Sequence, residues 1–177
     1  METTTTTTTT TTSASVGLRY GLLTGLITAI FSFFVNVMHL EQSPLRFLNI
    51  AVLVGGIVLA QRFYKASAGG FLSFGEGVGI GTVLSAVAGV IGAVFTWVYV
   101  SFVDTDMMTR IMDKARADME ARGGVSDEQI DQAMSLTAKF VTAPILAISV
   151  ILVTVIFGLL AALVVSAVLK NPRPDFE

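Results

Sequence analysis

Hydrophobic and polar positions divide the chain into four long apolar runs, one charged interval and two polar ends. The third run is the plainest. Residues 73–102 carry one ionisable side chain, Glu76, near the start, and between Gly77 and Tyr99 there is no charge, Pro, Asn or Gln. A stretch of that length predicts a membrane-spanning helix, because about 20 residues cross the hydrocarbon layer. Together the runs predict four spans, at 16–37, 44–63, 74–102 and 141–169. The second has the shortest uncharged core, 47–60, between Arg46 and Arg62. Both long side chains can reach outward to the headgroups and stretch the effective span.

Small residues recur every fourth position in two of the runs. The first has Gly17, Gly21, Gly25 and Ala29; the third has Gly77, Gly81, Ser85, Gly89 and Ala93. Helices associate in lipid through such stripes, because small side chains let backbones approach closely. The reading is that spans one and three pack stripe to stripe, Gly21 and Gly25 against Gly81 and Ser85. On that reading Gly81→Leu pushes them apart, while Val83→Leu, off the stripe, costs little. Gly75, Gly77, Gly79 and Gly81 alternate, which would give two neighbouring helices close access on opposite faces. The alternative is a glycine-opened first turn, as in the broken helices of transporters. Trp97, Tyr99 and Phe102 end the run as an aromatic belt at one membrane interface.

Between 104 and 139 the pattern reverses: thirteen of the chain's twenty-four charged residues fall here. This interval, 104–140, is read as a helical hairpin in water, divided at Gly123-Gly124. Its first half carries an apolar stripe, Met108, Ile111, Met112, Ala115 and Met119, at helical spacing. Its second half opens with the capping box Ser126-x-x-Gln129, with Val125 and Ile130 as the hydrophobic staple. The stripe is most simply the seam between the two helices. A partner surface formed by Met108, Ile111, Met112 and Met119 is the sharper alternative, since Met adapts to varied shapes.

Composition adds constraints. Charged residues make up 14% of the 177 positions, against about 25% in soluble domains. The net charge of −2 argues against a nucleic-acid binder, which shows a basic footprint. There is no Cys, hence no disulfide framework or thiolate metal site. His39, the sole histidine, has no further ligands at helical spacing and reads as a solvated loop residue. Ser43-Pro44 reads as the capped start of span two. Residues 1–15, with ten consecutive Thr, have too little apolar content to bury and are expected to be disordered; 171–177 reads as a loose polar tail. Span four is expected to run on from the hairpin with a kink near Pro144.

Glu76 is the one carboxylate with two readings. Ser73-x-x-Glu76 matches a capping box, in which Glu76 reaches back to the Ser73 amide. Carboxylates within membranes are functional by default, so a proton or ion site is the alternative. No nucleophile–base pair, metal cluster or phosphate cradle is present, so no catalytic residues, metal or cofactor are expected.

Three segments carry a resemblance: Leu18-Arg19-Tyr20-Gly21-Leu22, Gly70-Phe71-Leu72-Ser73-Phe74-Gly75-Glu76, and Tyr99-Val100-Ser101-Phe102-Val103-Asp104-Thr105-Asp106. Pro144 and Gly158-Leu159-Leu160 agree with them. The chain resembles, over about 16–170, the membrane family called domain of unknown function 4199, found mainly in Bacteroidetes. It departs at Thr105, where the family pattern leads one to expect Pro. The resemblance implies a bacterial four-helix integral membrane domain and carries no catalytic residue across.

The resulting expectation is an all-α integral membrane bundle of four transmembrane helices with an extramembrane helical hairpin between the third and fourth. The basic residues Arg19, Arg62, Lys65, Lys170 and Arg173 crowd span ends on the side of the termini. They favour cytoplasmic termini in the inner membrane. The expected function is a non-enzymatic scaffold or accessory subunit with a partner-docking hairpin; the alternative is a small oligomeric transporter or channel using Glu76. Expected partners are membrane lipid, another membrane or envelope protein, or a second copy of the chain, and no nucleic acid.

Overall fold

The structure is a computed structural model describing residues 12–38, 40, 44–124 and 126–173. Among them stand six α-helices and no strand: α1 (Ser13–Val37), α2 (Leu48–Ser67), α3 (Phe74–Val98), α4 (Met107–Arg122), α5 (Asp127–Phe140) and α6 (Ala143–Leu169). A 3-10 turn, Pro44–Phe47, leads into α2, and a π turn, Tyr99–Val103, ends α3. The expectations for His39, the Ser43 cap, Val125 and the Arg46 side chain lie outside the described residues, as do 1–11 and 174–177.

Four helices are long and apolar enough to cross a membrane: α1, α2, α3 with its π turn, and α6. Their outer faces carry Leu26, Ile30, Leu59, Val94, Ile156 and Val164, all exposed. A continuous apolar surface of this kind is untenable in water and normal in lipid. The protein is a multi-pass membrane bundle.

α3 lies at the centre, packed along its length on α1 and on α6, while α2 closes the bundle against α1, α6 and α3. Both long seams use glycine, but the two small stripes do not meet. The glycines of α1 press on a large-residue face of α3. A methyl group at Gly17 would lie 2.9 Å from the Ile80 carbonyl oxygen and from the Val83 Cβ. One at Gly21 would lie 2.9 Å from the Leu84 carbonyl oxygen, and one at Gly25 2.7 Å from Ile91 Cδ1. The stripe of α3 instead faces α6. Gly77 abuts Ser166, Gly81 abuts Ala162, Gly89 abuts Ile151 and Thr154, and Ser85 fills the notch at Gly158. Spans one and three are neighbours, as expected, but through different faces. The stripe partner of α3 is the series Gly158, Ala162, Ser166, also at four-residue spacing. Gly75 and Gly79 have open space around them and serve no second helix.

Other boundaries moved for local reasons. Thr12 accepts a hydrogen bond from the Ser15 amide at 3.3 Å, so α1 starts inside the segment expected to be disordered. α5 and α6 are separate helices rather than one kinked helix. Thr142 is extended, and Pro144 sits at the start of α6, where its missing N–H leaves no bond unmade. The π turn carries Tyr99 inward, where it is buried, stacks on Phe95 and meets Phe33 edge-on. Only Trp97 and Phe102 of the expected aromatic belt face outward. The polar tail is tied at its start: Leu72 and Asn171 exchange backbone hydrogen bonds of 2.9 and 2.8 Å.

Candidate functional site

The end of the bundle where α1 begins and α6 ends is closed. Here the Ser73 and Glu76 capping box is complete: the Ser73 amide donates to Glu76 Oε2 at 2.8 Å, and the Glu76 amide donates to Ser73 Oγ at 3.2 Å. The Tyr64 hydroxyl, on α2, donates to the other carboxylate oxygen at 2.8 Å. Both Glu76 oxygens are therefore engaged, and the residue is exposed at the bundle's edge. α3 is regular from Phe74 onward, so its glycines open no first turn beside Glu76. Around this box, Lys65 Nζ donates to the last carbonyl of α6, that of Leu169, at 2.9 Å. Asn171 Nδ2 donates to the Gly70 carbonyl, and Arg173 lies over the Phe71 ring. Ser73→Ala removes the hydrogen bond from the Glu76 amide to Ser73 Oγ and leaves the Glu76 carboxylate held by the backbone amide of residue 73 and by Tyr64. It is expected to cost about 1 kcal/mol, read as thermal stability in detergent.

One layer below the crown, Gln61 is fully buried and bridges three helices. Its Nε2 donates to the Gly77 carbonyl and to Ser166 Oγ, both at 3.0 Å. The sequence reading missed Gln61 and Ser166. The spacing of Ser166 from Gly158 and Ala162 was the available signal for one of them; Gln61 stood beside Arg62 and read as the edge of a span. Around this node Ile57, Ala60, Leu72, Ile80, Leu84 and Ala162 form the dry core.

The opposite end is open. A cavity of about 320 Å³ lies among the later turns of α1 and α3 and the early turns of α2 and α6. Thr28, Ser32, Asn36, Asn49, Thr96 and Thr154 contribute its polar atoms, and Ala29, read from sequence as a packing residue, is part of its wall. Asn49 Nδ2 donates to Ser32 Oγ at 3.1 Å, while the buried Oδ1 has no hydrogen-bond partner among the described residues. On the rim, Ile50 of α2 and Val153 and Phe157 of α6 are exposed, so the cavity opens sideways between these helices toward lipid.

Beyond that end stands the hairpin. α4 and α5 pack on each other, with Met108, Ile111, Met112, Ala115 and Met119 half-buried and Ile130 buried. The methionine stripe thus lies in the seam. The Ser126 and Gln129 capping box is complete. Arg116 donates to Glu120 at 3.0 Å and pairs with Asp131 of α5 at 3.1 Å. The Glu120 hydrogen bond, and then the charge of Asp131, hold the Arg116 guanidinium above its ordinary pKa. Asp104 and Arg110 pair at the hairpin's base. Leu136 and Phe140, one turn apart, are exposed on α5. Among the described residues no cluster of three His, Asp or Glu side chains could hold a metal ion.

No curated protein and no solved structure matches this chain. A family model does, over residues 19–171, a span that runs from the second turn of α1 to just past α6 and takes in the hairpin. The chain belongs to the family described as protein of unknown function (DUF4199).

Proposed function

We propose that this protein is a non-enzymatic membrane scaffold or accessory subunit whose hairpin docks a partner protein. The observation that carries the reading is the self-contained hairpin. Its seam, caps and cross-helix ion pair are internal to 104–140. It nevertheless keeps Leu136 and Phe140 exposed on one face. Paired exposed apolar side chains on a capped helix are the elements of a helix-docking surface. The membrane part supports an anchoring role, because its termini end is closed by a dry core and a hydrogen-bonded crown. The engagement of both Glu76 carboxylate oxygens at the bundle's edge supports the anchoring role over a solute path beside this residue.

In this reading the protein is bacterial, lies in the inner membrane with cytoplasmic termini, and presents the hairpin outside. Arg19, Arg62, Lys65, Lys170 and Arg173 gather at helix ends on the termini side, where basic residues act on orientation.

The absence of Cys permits a clean test. Leu136→Cys, coupled to a membrane-impermeant photo-crosslinking maleimide, is expected to label from outside intact cells and to yield a discrete protein adduct. A second copy of the chain would be recognised by an adduct of twice the chain's mass. Ala117→Cys, exposed on α4 of the same hairpin, serves as the control. Hairpin docking is refuted by adducts identical to the control, or by none; labelling only after the cells are opened reverses the orientation.

A further inference from the structure

We propose that the cavity at the hairpin end is a site for one acyl chain of a bilayer phospholipid, which enters sideways between α2 and α6. The cavity is continuous with the surface that meets lipid: Ile50 of α2 and Val153 and Phe157 of α6 form its mouth and are exposed. Whatever enters by that route comes from the hydrocarbon layer, where acyl chains are the solvent. None of the lining side chains is ionisable, so a charged group would enter without a counter-charge, at high desolvation cost. The volume is about 320 Å³. An apolar cavity of about half that size takes up benzene, so there is room here for roughly a dozen carbons.

The polar side chains of the wall agree with an apolar occupant, because the wall itself engages several of them. Thr28 donates to the Gly25 carbonyl at 2.9 Å, and Asn49 Nδ2 donates to Ser32 Oγ at 3.1 Å. Asn49 Oδ1 is buried and does not face the open space. Asn36 and Thr96 stand in the last turns of α1 and α3, and Asn49 in the first turn of α2, at the level of the headgroups. Leu53, Ala88 and Phe157 line the deeper part. A chain therefore lies along the apolar depth with its ester end toward the polar rim. Water fits less well, since about ten molecules would fill the volume and each needs two to four polar partners. The seated chain touches all four membrane helices just below the hairpin and supplies dispersion contacts that they do not make with one another there.

The test uses the full chain in phosphatidylcholine liposomes doped with phosphatidylcholine that bears a diazirine midway along one acyl chain. After illumination, the adducts are mapped by mass spectrometry. Val94 and Ile156, exposed on the outer faces, report the bilayer, and the fully buried Ile80 and Leu84 report the closed core. Leu53 and Ala88 are only 6% and 4% exposed, close to the core pair, but they line the cavity. The expected result is adducts at Leu53 and Ala88 as at Val94 and Ile156, and none at Ile80 and Leu84. Ala29→Phe, which fills the cavity from α1, is expected to abolish the Leu53 and Ala88 adducts and to keep those at Val94 and Ile156. The proposal is overturned if Leu53 and Ala88 stay unlabelled while Val94 and Ile156 react, if the core pair reacts equally, or if Ala29→Phe leaves the pattern unchanged. A water-soluble diazirine that labels Leu53 and Ala88 where the lipid probe does not identifies an aqueous vestibule and overturns it too. Should Ala29→Phe fail to fold, the comparison of cavity and core residues in wild type decides alone.

Discussion

Gly158→Leu is expected to cost about 3 kcal/mol or more in thermal stability, at or above the top of the usual overpacking range. A Cβ at Gly158 would fall on the Ser85 side chain, which is fully buried and whose hydroxyl is already committed to the Gly81 carbonyl at 2.7 Å. Neither backbone can yield locally, so α3 and α6 must separate. Dispersion contacts are then lost along the whole seam from Gly77–Ser166 to Gly89–Ile151. Gly81→Leu should do the same from the other side, by striking Ala162. Gly79→Leu is the matched control: no heavy atom lies within 4 Å of its Cβ position. The new side chain would enter lipid, with an effect within about 0.5 kcal/mol. Val83→Leu is not a neutral control, because Val83 stands against Gly17 in the α1 seam. Melting curves in detergent compare the variants directly. Coincident curves for Gly158→Leu and Gly79→Leu would show that α3 and α6 do not meet through this stripe.

The second large effect is at Gln61. Gln61→Ala opens a void in the core layer and leaves Ser166 without its donor. The expected cost is about 2–4 kcal/mol, most of it from the cavity, since an interhelical hydrogen bond in lipid averages only about 0.6 kcal/mol. That division makes a sharper prediction. Gln61→Leu with Ser166→Ala keeps most of the volume and removes both polar partners. It also removes the buried Gln61 Oε1, which has no hydrogen-bond partner among the described residues. The double variant should lie within about 1 kcal/mol of wild type. If it proves as damaged as Gln61→Ala, hydrogen bonding rather than packing dominates the node.

The sequence by itself determined the features that depend on residues close along the chain. Four spans were legible because freedom from charge over some twenty residues is a local property and lipid tolerates nothing else. The two capping boxes were legible because a side chain three residues on reaches back whatever the rest of the fold does. The seam of the hairpin followed from one helix period. The Glu76 capping box was legible from sequence, whereas the Tyr64 hydroxyl that occupies its second oxygen arrives from another helix and was not.

What the tertiary structure decided was rotation and fit. α3 has a small face and a large face, and either could have met the glycines of α1. Each residue turns a helix by about 100°, so which face α6 takes depends on all the helices packing at once. The same rotation turns Gln61 inward while Arg62 beside it stays exposed. It also brings Asn49 to a wall that no single run of residues describes. The cavity lies beyond the close glycine contacts of α1 on α3, the last of them at Gly25, and beyond the core in which Ile57 and Ala60 of α2 are buried. No local pattern records a space left between four helices, because it belongs to none of them.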